Sequence, residues 1–283
     1  MADGPGAWER VRTWPQHVLP QKTLTALATR LSASRRRWIR GPLVGGFRRM
    51  FPVDLAEARV PEGGFESFDA FFTRALRPGA RPMPEDPGAL ACPCDGTLSQ
   101  CGPISDGRIV QAKGRDFTVS ELLAGDPRAA DYEGGRFLTV YLAPHDYHRV
   151  HAPVDGRLVS EIRVPGRLFS VSAATGRVID RLYARNERMV ALFETDEGPI
   201  AVIMVAAMLV AGIETTWDPH GERRPGRRVR RLDPDPAPRL ARGEELGRFH
   251  WGSTVVLLAG PGHRAWRSGL VPGRTMRLGE PLT

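Results

Sequence analysis

The stretch that most constrains this chain is an uncharged, β-branched run that begins directly after a glycine near the C-terminal end. Residues 251–258 read Trp-Gly-Ser-Thr-Val-Val-Leu-Leu. A short apolar run of this kind predicts a buried strand with Ser253 at its N-terminal end. Gly252 allows a strained turn before the strand. Because a serine hydroxyl lies close to the carbonyl of the preceding peptide bond, Ser253 is a candidate for attack on its own backbone.

Most of the remaining pattern predicts strands. The sequence Thr-Asp-Glu-Gly at 195–198 predicts a hairpin turn between two of them. A short helix is predicted from Ser67 to Leu76, with Ser67 as its N-cap. We therefore expect an α+β fold, in which a β-rich domain of antiparallel sheets carries a short helical N-terminal segment. The predicted strands cover residues 137–142, 158–164, 189–193, 200–205 and 254–258.

The N-terminal segment, residues 1–52, differs from the rest of the chain in charge. It contains ten arginines or lysines and two acidic residues, which accounts for the whole net charge of +8. Leucines and an alanine between Leu24 and Leu31 follow helical spacing, and arginines flank them. An apolar stripe beside basic residues is typical of a helix that lies on an anionic membrane surface. A helix packed on its own domain has the same stripe, and this segment alone does not separate the two.

Two glycine-containing pairs and one loop add further expectations. The pairs Gly41-Pro42 and Gly45-Gly46 predict that the basic segment is broken into short helical pieces. A polar loop at 221–238 forms a candidate second anion-binding patch, although a solvated loop is the more common outcome. The arginines of this loop are Arg223, Arg224, Arg227, Arg228, Arg230 and Arg231.

Neither a secretory signal nor a membrane span is predicted. Residues 1–14 have no apolar core of the kind that signal peptides carry. The longest uncharged run, from Gly198 to Ile213, is shorter than the about 20 residues that a spanning helix needs. We therefore expect peripheral contact with the cytoplasmic side of the cell membrane.

The three cysteines do not predict a disulfide framework or a metal site. Cys92, Cys94 and Cys101 lie within one short stretch. An odd number of cysteines suits a reducing compartment. Their spacing is not that of a zinc site, so no metal is expected.

Three motifs in this order resemble the phosphatidylserine decarboxylases, a family of self-cleaving, pyruvoyl-dependent enzymes, here of the bacterial type. They are Asp-Gly-Thr at 95–97, Tyr-His-Arg-x-His at 147–151 and Gly-Ser-Thr at 252–254. The resemblance extends from about Phe65 to Leu258. Trp251 stands where family members often have leucine.

The resemblance implies a reaction and a maturation step. The reaction converts phosphatidylserine to phosphatidylethanolamine and CO₂ through a Schiff base on a pyruvoyl group. That group would derive from Ser253 when the chain cleaves itself between Gly252 and Ser253. The products would be a large chain, 1–252, and a small chain, 253–283, held together as a heterodimer. On this interpretation, residues 1–52 bind the membrane and residues 53–283 form the decarboxylase domain.

The resemblance also implies roles for individual side chains. Ser253 would be the nucleophile of self-cleavage, His151 its base, and Asp95 the carboxylate that orients His151. His148 would protonate the carbanion or steer the substrate after cleavage. Tyr141 is a further candidate for contact with the substrate.

Three alternatives remain open at this point. Asp95, His151 and Ser253 are also the residue types of a serine hydrolase, although no Gly-x-Ser-x-Gly motif surrounds Ser253. A pyruvoyl decarboxylase of a soluble amino acid is a second alternative. A basic nucleic-acid-binding module is a third, but no nucleic-acid-binding motif accompanies the charge, and we expect no nucleic-acid partner. Formation of a homo-oligomer stays undecided.

Overall fold

The fold is described from a computed structural model. It covers Gly6, Trp8, Val11 and residues 13–208, 212–219 and 226–283. Arg223 and Arg224 of the predicted second basic patch lie outside the described residues, as does part of the basic segment before Thr13. The described residues form an α+β protein dominated by antiparallel sheets, which confirms the predicted fold class.

The helices are short, except for two in the N-terminal segment. We number them α1 (Pro15–Val18), α2 (Gln21–Ser32), α3 (Arg37–Met50), α4 (Phe68–Phe72), α5 (Val119–Leu122), α6 (Ala173–Val178) and α7 (Leu182–Arg185), with a 3₁₀ helix at Pro127–Tyr132.

The strands are β1 (Gly96–Pro103), β2 (Arg108–Ala112), β3 (Arg115–Thr118), β4 (Arg136–Leu142), β5 (Arg149–His151), β6 (Gly156–Val164), β7 (Arg188–Thr195), β8 (Gly198–Ala206), β9 (Ile213–Thr215), β10 (Arg230–Leu232), β11 (Arg239–Leu240), β12 (Glu245–Phe249), β13 (Ser253–Ala259) and β14 (Thr275–Met276).

The main sheet places β13 between two long strands. In the described part of the chain, the strand order is β10-β6-β7-β8-β13-β4-β1-β14, and β11 pairs with β6. Every residue of β13 is buried, as its apolar sequence predicts. Ser253, its first residue, lies opposite Leu142 of β4 and Ala206 of β8. The central position of β13 thus fixes the serine at one end of the protein core.

A smaller sheet supplies the other side of the site. Its strand order is β5-β12-β9, and β12 is followed after three residues by β13 of the main sheet. The link 250–252 therefore joins two different sheets. The predicted cleavage position lies at the end of this link.

Several local predictions are confirmed. Strands occupy all five predicted segments, and Thr195 pairs with Gly198 across the β7–β8 hairpin. The Ser67 side chain accepts a hydrogen bond from the Ala70 backbone N–H, as expected of an N-cap. The predicted helix is shorter than expected, since it ends at Phe72.

The prediction that glycine and proline break the basic segment after Ile39 is wrong. Helix α3 continues from Arg37 to Met50 with Pro42 inside it. Proline has no backbone N–H, so Pro42 cannot donate the helical hydrogen bond to the carbonyl of Trp38, four residues earlier. Leu43, Val44 and Phe47 pack against the phenylalanines of α4. This apolar contact offsets the low helix propensity of the sequence.

The N-terminal segment also exposes an unusual amount of apolar surface. Of the fifteen large apolar side chains that are exposed in the described residues, ten precede Phe51. Trp14, Val18 and Trp38 are among them, and each is at least 65% exposed. None of the helices within the described residues has the length and apolar character needed to cross a membrane.

Candidate active site

Ser253 lies completely buried at the start of β13, just after a strained bend. Its Oγ has no hydrogen-bond partner among the described residues. Trp251, two residues earlier, has a φ of +107°, a region that bulky residues rarely occupy. Such strain persists only where the surrounding structure enforces it, and it is concentrated at functional sites. Within the described part of the chain, no hydrogen bond therefore holds the Ser253 hydroxyl away from the preceding peptide bond.

An apolar cavity of about 380 Å³ opens beside this bend. Gly252 and Tyr141 line it together with Pro144 and Val171. Its aromatic wall is built from three parts of the chain and consists of Phe47, Phe51, Phe72 and Trp251. Tyr141 thus lies at the site as predicted, and the N-terminal segment contributes to the cavity through α3 and the residue after it.

His148 is buried on the Phe72 side of the site. Its ring stacks on Phe72, with 4.1 Å between ring centroids, and Phe72 stacks in turn on Trp251. Nε2 donates to the carbonyl oxygen of Ala143 at 3.1 Å, while Nδ1 has no partner among the described residues. Burial lowers the pKa of His148 to about 3, so the ring is neutral. Nδ1 therefore carries an unused lone pair. Ala143, which holds the other ring nitrogen, directly follows Leu142, the residue that pairs with Ser253.

His151 faces different neighbours. Its Nδ1 donates to the carbonyl oxygen of Gly243 at 2.8 Å, which leaves Nε2 as the acceptor of the Tyr147 hydroxyl at 3.0 Å. Burial lowers the pKa of His151, while the bond to Gly243, the charge of Glu245 and, to a smaller extent, the charge of Asp95 act in the opposite direction. The ring is thus a neutral base whose free lone pair is occupied by Tyr147.

Asp95 pairs with an arginine rather than with a histidine. Its two oxygens accept from Nε and Nη2 of Arg81 at 3.0 and 2.6 Å, and Oδ1 also accepts from the backbone N–H of Leu278. Among the described residues, Asp95 and His151 share no side-chain hydrogen bond. They stay close because the His151 backbone N–H donates to the carbonyl of Pro93. Asp95 and Tyr147 line a common polar cavity of about 190 Å³.

The structure therefore brings some predicted residues together and separates others. Gly252 and Tyr141 line the apolar cavity, Ser253 directly follows Gly252, and His148 stacks on Phe72 of the cavity wall. His151 and Asp95 lie on the side of Tyr147 and Arg81. The sequence analysis did not identify Phe47, Phe72 or Arg81 as parts of the site. Their contacts span large sequence separations, so no local pattern would have indicated them.

Family models match both parts of the chain. A model described as phosphatidylserine decarboxylase matches residues 68–283, and a second, described as PSD, matches residues 11–51. The chain belongs to the phosphatidylserine decarboxylase family. It is therefore an enzyme of the decarboxylase class, a carboxy-lyase of phospholipid biosynthesis.

Relatives are similar over nearly the full length. A phosphatidylserine decarboxylase proenzyme of Pseudomonas putida is 47% identical over 94% of this chain and 95% of its own length. The proenzyme of Azotobacter vinelandii is 48% identical over the same shares. That of Pseudomonas aeruginosa is 46% identical over 97% of this chain and 96% of its own length. Each relative carries the word proenzyme in its name.

The local chemistry fits the pyruvoyl group that this decarboxylase family implies. The group would replace Ser253, whose hydroxyl is buried and unpaired and whose preceding bend borders the cavity. A Cβ added at Gly252 would meet nothing within 4 Å, so there is open space on that side of the bend. No group of three or more His, Cys, Asp or Glu side chains suited to a metal ion occurs in the described part of the chain.

Proposed function

We propose that this chain is a proenzyme that cleaves itself before Ser253 and then decarboxylates phosphatidylserine at a membrane surface. The observation that carries the proposal is the buried, unpaired Ser253 hydroxyl beside the strained Trp251-Gly252 bend. The attack converts the amide bond into an ester. Because both reacting groups belong to the same chain, the step avoids much of the entropic cost of bringing two molecules together. The names of the relatives support both the substrate and the maturation step.

The bond changes of self-cleavage are as follows. Ser253 Oγ attacks the Gly252 carbonyl carbon and gives its proton to a base, and the C–N bond breaks as the nitrogen of Ser253 takes up a proton. Removal of the Ser253 Cα proton then breaks its Cβ–O bond and releases Gly252 as a carboxylate. The dehydroalanine that remains tautomerises to an imine. Water replaces the imine nitrogen as ammonia and leaves an N-terminal pyruvoyl group.

His151, with Asp95 as the nearby negative charge, is our proposed base for this step. A serine hydroxyl is a weak nucleophile and needs such a base. The neutral His151 ring presents its free lone pair at Nε2, where the Tyr147 hydroxyl now donates. For His151 to act, Nε2 has to exchange the Tyr147 hydroxyl for that of Ser253. The Asp95 charge stabilises the imidazolium that forms.

His148 is our proposed proton carrier in the decarboxylation step. The pyruvoyl group supplies the electron sink that loss of CO₂ from an amine-bearing carbon requires. The Nε2 bond to Ala143 fixes the His148 tautomer, so that Nδ1 is the atom that takes up and returns a proton. Stacking on Phe72 keeps the ring in place. Tyr141 would contact the substrate from the cavity wall.

The N-terminal segment is our proposed membrane contact. Its exposed tryptophans, leucines and valines form a large apolar surface, and arginines between Arg30 and Arg49 surround it. Both features favour adsorption to an anionic bilayer. Phe47 and Phe51 line the apolar cavity from this same segment, so the proposed membrane contact and the bend share an apolar wall suited to the acyl chains of a lipid.

A gel, an intact-mass measurement and a decarboxylation assay test the maturation step. Purified wild-type protein should contain two chains, the smaller of 31 residues and blocked at its N-terminus. Ser253→Ala should stay one chain and release no CO₂. Ser253→Thr is the matched variant, because it keeps a hydroxyl and should cleave slowly. A wild-type chain that stays whole and still decarboxylates would contradict the mechanism.

Sedimentation with vesicles that contain an anionic lipid tests the membrane contact. Replacing Arg35, Arg36 and Arg37 by glutamine should weaken binding by about 10- to 100-fold at low salt, since each basic residue contributes on the order of 1 kcal/mol. A control replaces three exposed arginines outside the segment, Arg264, Arg267 and Arg277. Equal loss in both variants would mean that net charge, rather than the segment, drives binding.

A further inference from the structure

His250, three residues before Ser253, is held between two carboxylates. Its Nδ1 lies 2.8 Å from Asp69 Oδ1, and its Nε2 lies 3.2 Å from Glu214 Oε2. The residue is 2% exposed, and the two acids come from α4 and β9. The sequence analysis gave His250 no role. We call this group the His250 clamp.

The two contacts favour the charged form of the ring, because an opposite charge lies at each nitrogen. A carboxylate oxygen accepts hydrogen bonds, so a histidine that donates from both nitrogens has to be an imidazolium. Other charges surround the clamp. Arg248 of β12 lies 3.7 Å from Glu214 and 2.8 Å from Glu245. The cavity beside it is also lined by the charged residues Arg59, Glu62, Glu66, Arg74 and Arg149.

The clamp holds one end of the link that precedes the cleavage position. The backbone N–H of Phe249 donates to the carbonyl of His148, and that of His250 donates to the carbonyl of Gly212. At the other end, pairing with β4 and β8 fixes Ser253. Only Trp251 and Gly252 lie between these two fixed ends. The positive φ of Trp251 therefore persists because both ends are held.

We propose that His250 is a positioning residue for self-cleavage: its imidazolium, clamped by Asp69 and Glu214, keeps the bend in the conformation that presents the Gly252 carbonyl to Ser253. The proposal rests on the proposed self-cleavage. When the clamp opens, Trp251 relaxes toward ordinary backbone angles and the carbonyl moves away from the hydroxyl. His250 itself does not touch the reacting atoms in this role.

The charge of the clamp predicts a specific pH dependence. Self-cleavage should fall at low pH, where the base of Ser253 becomes protonated, and at high pH, where His250 loses its proton. Lysine at position 250 keeps a positive charge in alkaline solution. His250→Lys should therefore remove the alkaline decline and leave the acid decline unchanged. A residue that only fills space would not change the profile in this way.

The test uses full-length proenzyme from cell-free translation, shifted to buffers between about pH 4.5 and pH 10 and followed on gels, because the lowered pKa of His151 places the acid decline below about pH 6.5. His250→Gln should cleave about 10- to 100-fold more slowly than wild type at neutral pH, the range that loss of a strained backbone conformation corresponds to. Asp69→Asn and Glu214→Gln should slow cleavage less, because one carboxylate remains. His250→Lys should cleave faster than His250→Gln.

Two controls separate this role from misfolding and from catalysis. Each variant is combined with Ser253→Ala, and its thermal unfolding shows whether the uncleaved chain is folded. The cleaved fraction of each variant is assayed for CO₂ release per small chain, which should match wild type. Equal cleavage by wild type and a folded His250→Gln, or an unchanged alkaline decline in His250→Lys, overturns the proposal. A wild-type chain that never cleaves overturns the proposed maturation instead.

Discussion

The surroundings of His148 and His151 differ although the two residues are only three positions apart. His148 is completely buried, stacks on Phe72 and keeps an unpaired Nδ1. His151 is partly exposed, and both of its nitrogens have partners, Gly243 and Tyr147. The first residue contacts Phe72 of the apolar cavity, and the second contacts Tyr147, which lines the polar cavity with Asp95. We call these regions the apolar side and the polar side.

The difference arises from the strand that follows His148. Residues Arg149–His151 form β5, in which successive side chains point to opposite faces. His148 lies just before this strand and bonds to Ala143, whereas His151 is its last residue and bonds to Gly243. A short motif can thus supply two different environments, one that keeps a dry, neutral base and one that keeps a hydrogen-bonded base near a carboxylate. We expect the two sides to serve separate steps.

The largest expected effect separates the two histidines by step. His151→Ala should leave the chain largely uncut, because the base for Ser253 is lost. His148→Ala should cut and then decarboxylate about 10²- to 10⁴-fold more slowly per small chain, the usual contribution of a general acid or base. The measurements are a gel and CO₂ release. The reverse pattern would exchange the two roles, and two fully active variants would exclude both histidines.

A smaller effect concerns Asp95 and Arg81 on the polar side. Their side chains are 12% and 8% exposed, so Asp95→Asn and Arg81→Gln should each lower the free energy of unfolding by about 2 kcal/mol. Arg81 keeps its contact with Glu57 in the first variant, which limits the loss. Urea unfolding in the Ser253→Ala background measures both.

The same pair tests the role of Asp95 in cleavage. Arg81→Gln retains the Asp95 charge, so cleavage should continue, whereas Asp95→Asn should slow it by about tenfold or more. Equal cleavage defects in the two variants would assign Asp95 to structure alone. The polar side would then supply His151 without an orienting carboxylate.

The smallest effect is the pH dependence of stability on the apolar side. The pKa of His148 is about 3 in the folded protein, far below its value of about 6.5 in an unfolded chain. The unfolded state therefore binds the proton first, and stability is lost as the pH falls below about 6.5. Between about pH 7.5 and pH 5 the loss from this residue should approach 2 kcal/mol.

The measurement is urea unfolding of the Ser253→Ala chain with and without His148→Asn. The asparagine variant should show a flatter pH dependence, and His151→Asn should flatten it less, since the pKa of His151 is lowered by burial but partly restored by its neighbours. If the free energy of unfolding of all three chains depends on pH in the same way, burial does not lower the pKa of His148 in the folded protein.

The strands and the buried position of Ser253 could be predicted because their signals are local. The run after Gly252 is apolar and β-branched, so it predicts a buried strand wherever that strand lies in the fold. The hairpin at 195–198 and the Ser67 cap likewise depend on neighbouring residues alone. The continuity of α3 through Pro42 was not predictable in this way, because packing against α4 outweighs the local propensity.

The sequence by itself determined which residues are candidates for the chemistry, since Ser253, His148, His151 and Asp95 lie in short motifs of fixed spacing. Only the tertiary structure decided which of them meet. Asp69 and His250 are 181 positions apart, and Asp95 turns to Arg81 rather than to His151. Such contacts depend on how sheets and helices pack over long separations, and burial then sets the charge of each group. Local sequence patterns predict neither the long-range contact nor the charge of the group, because both depend on which residues the whole fold brings together.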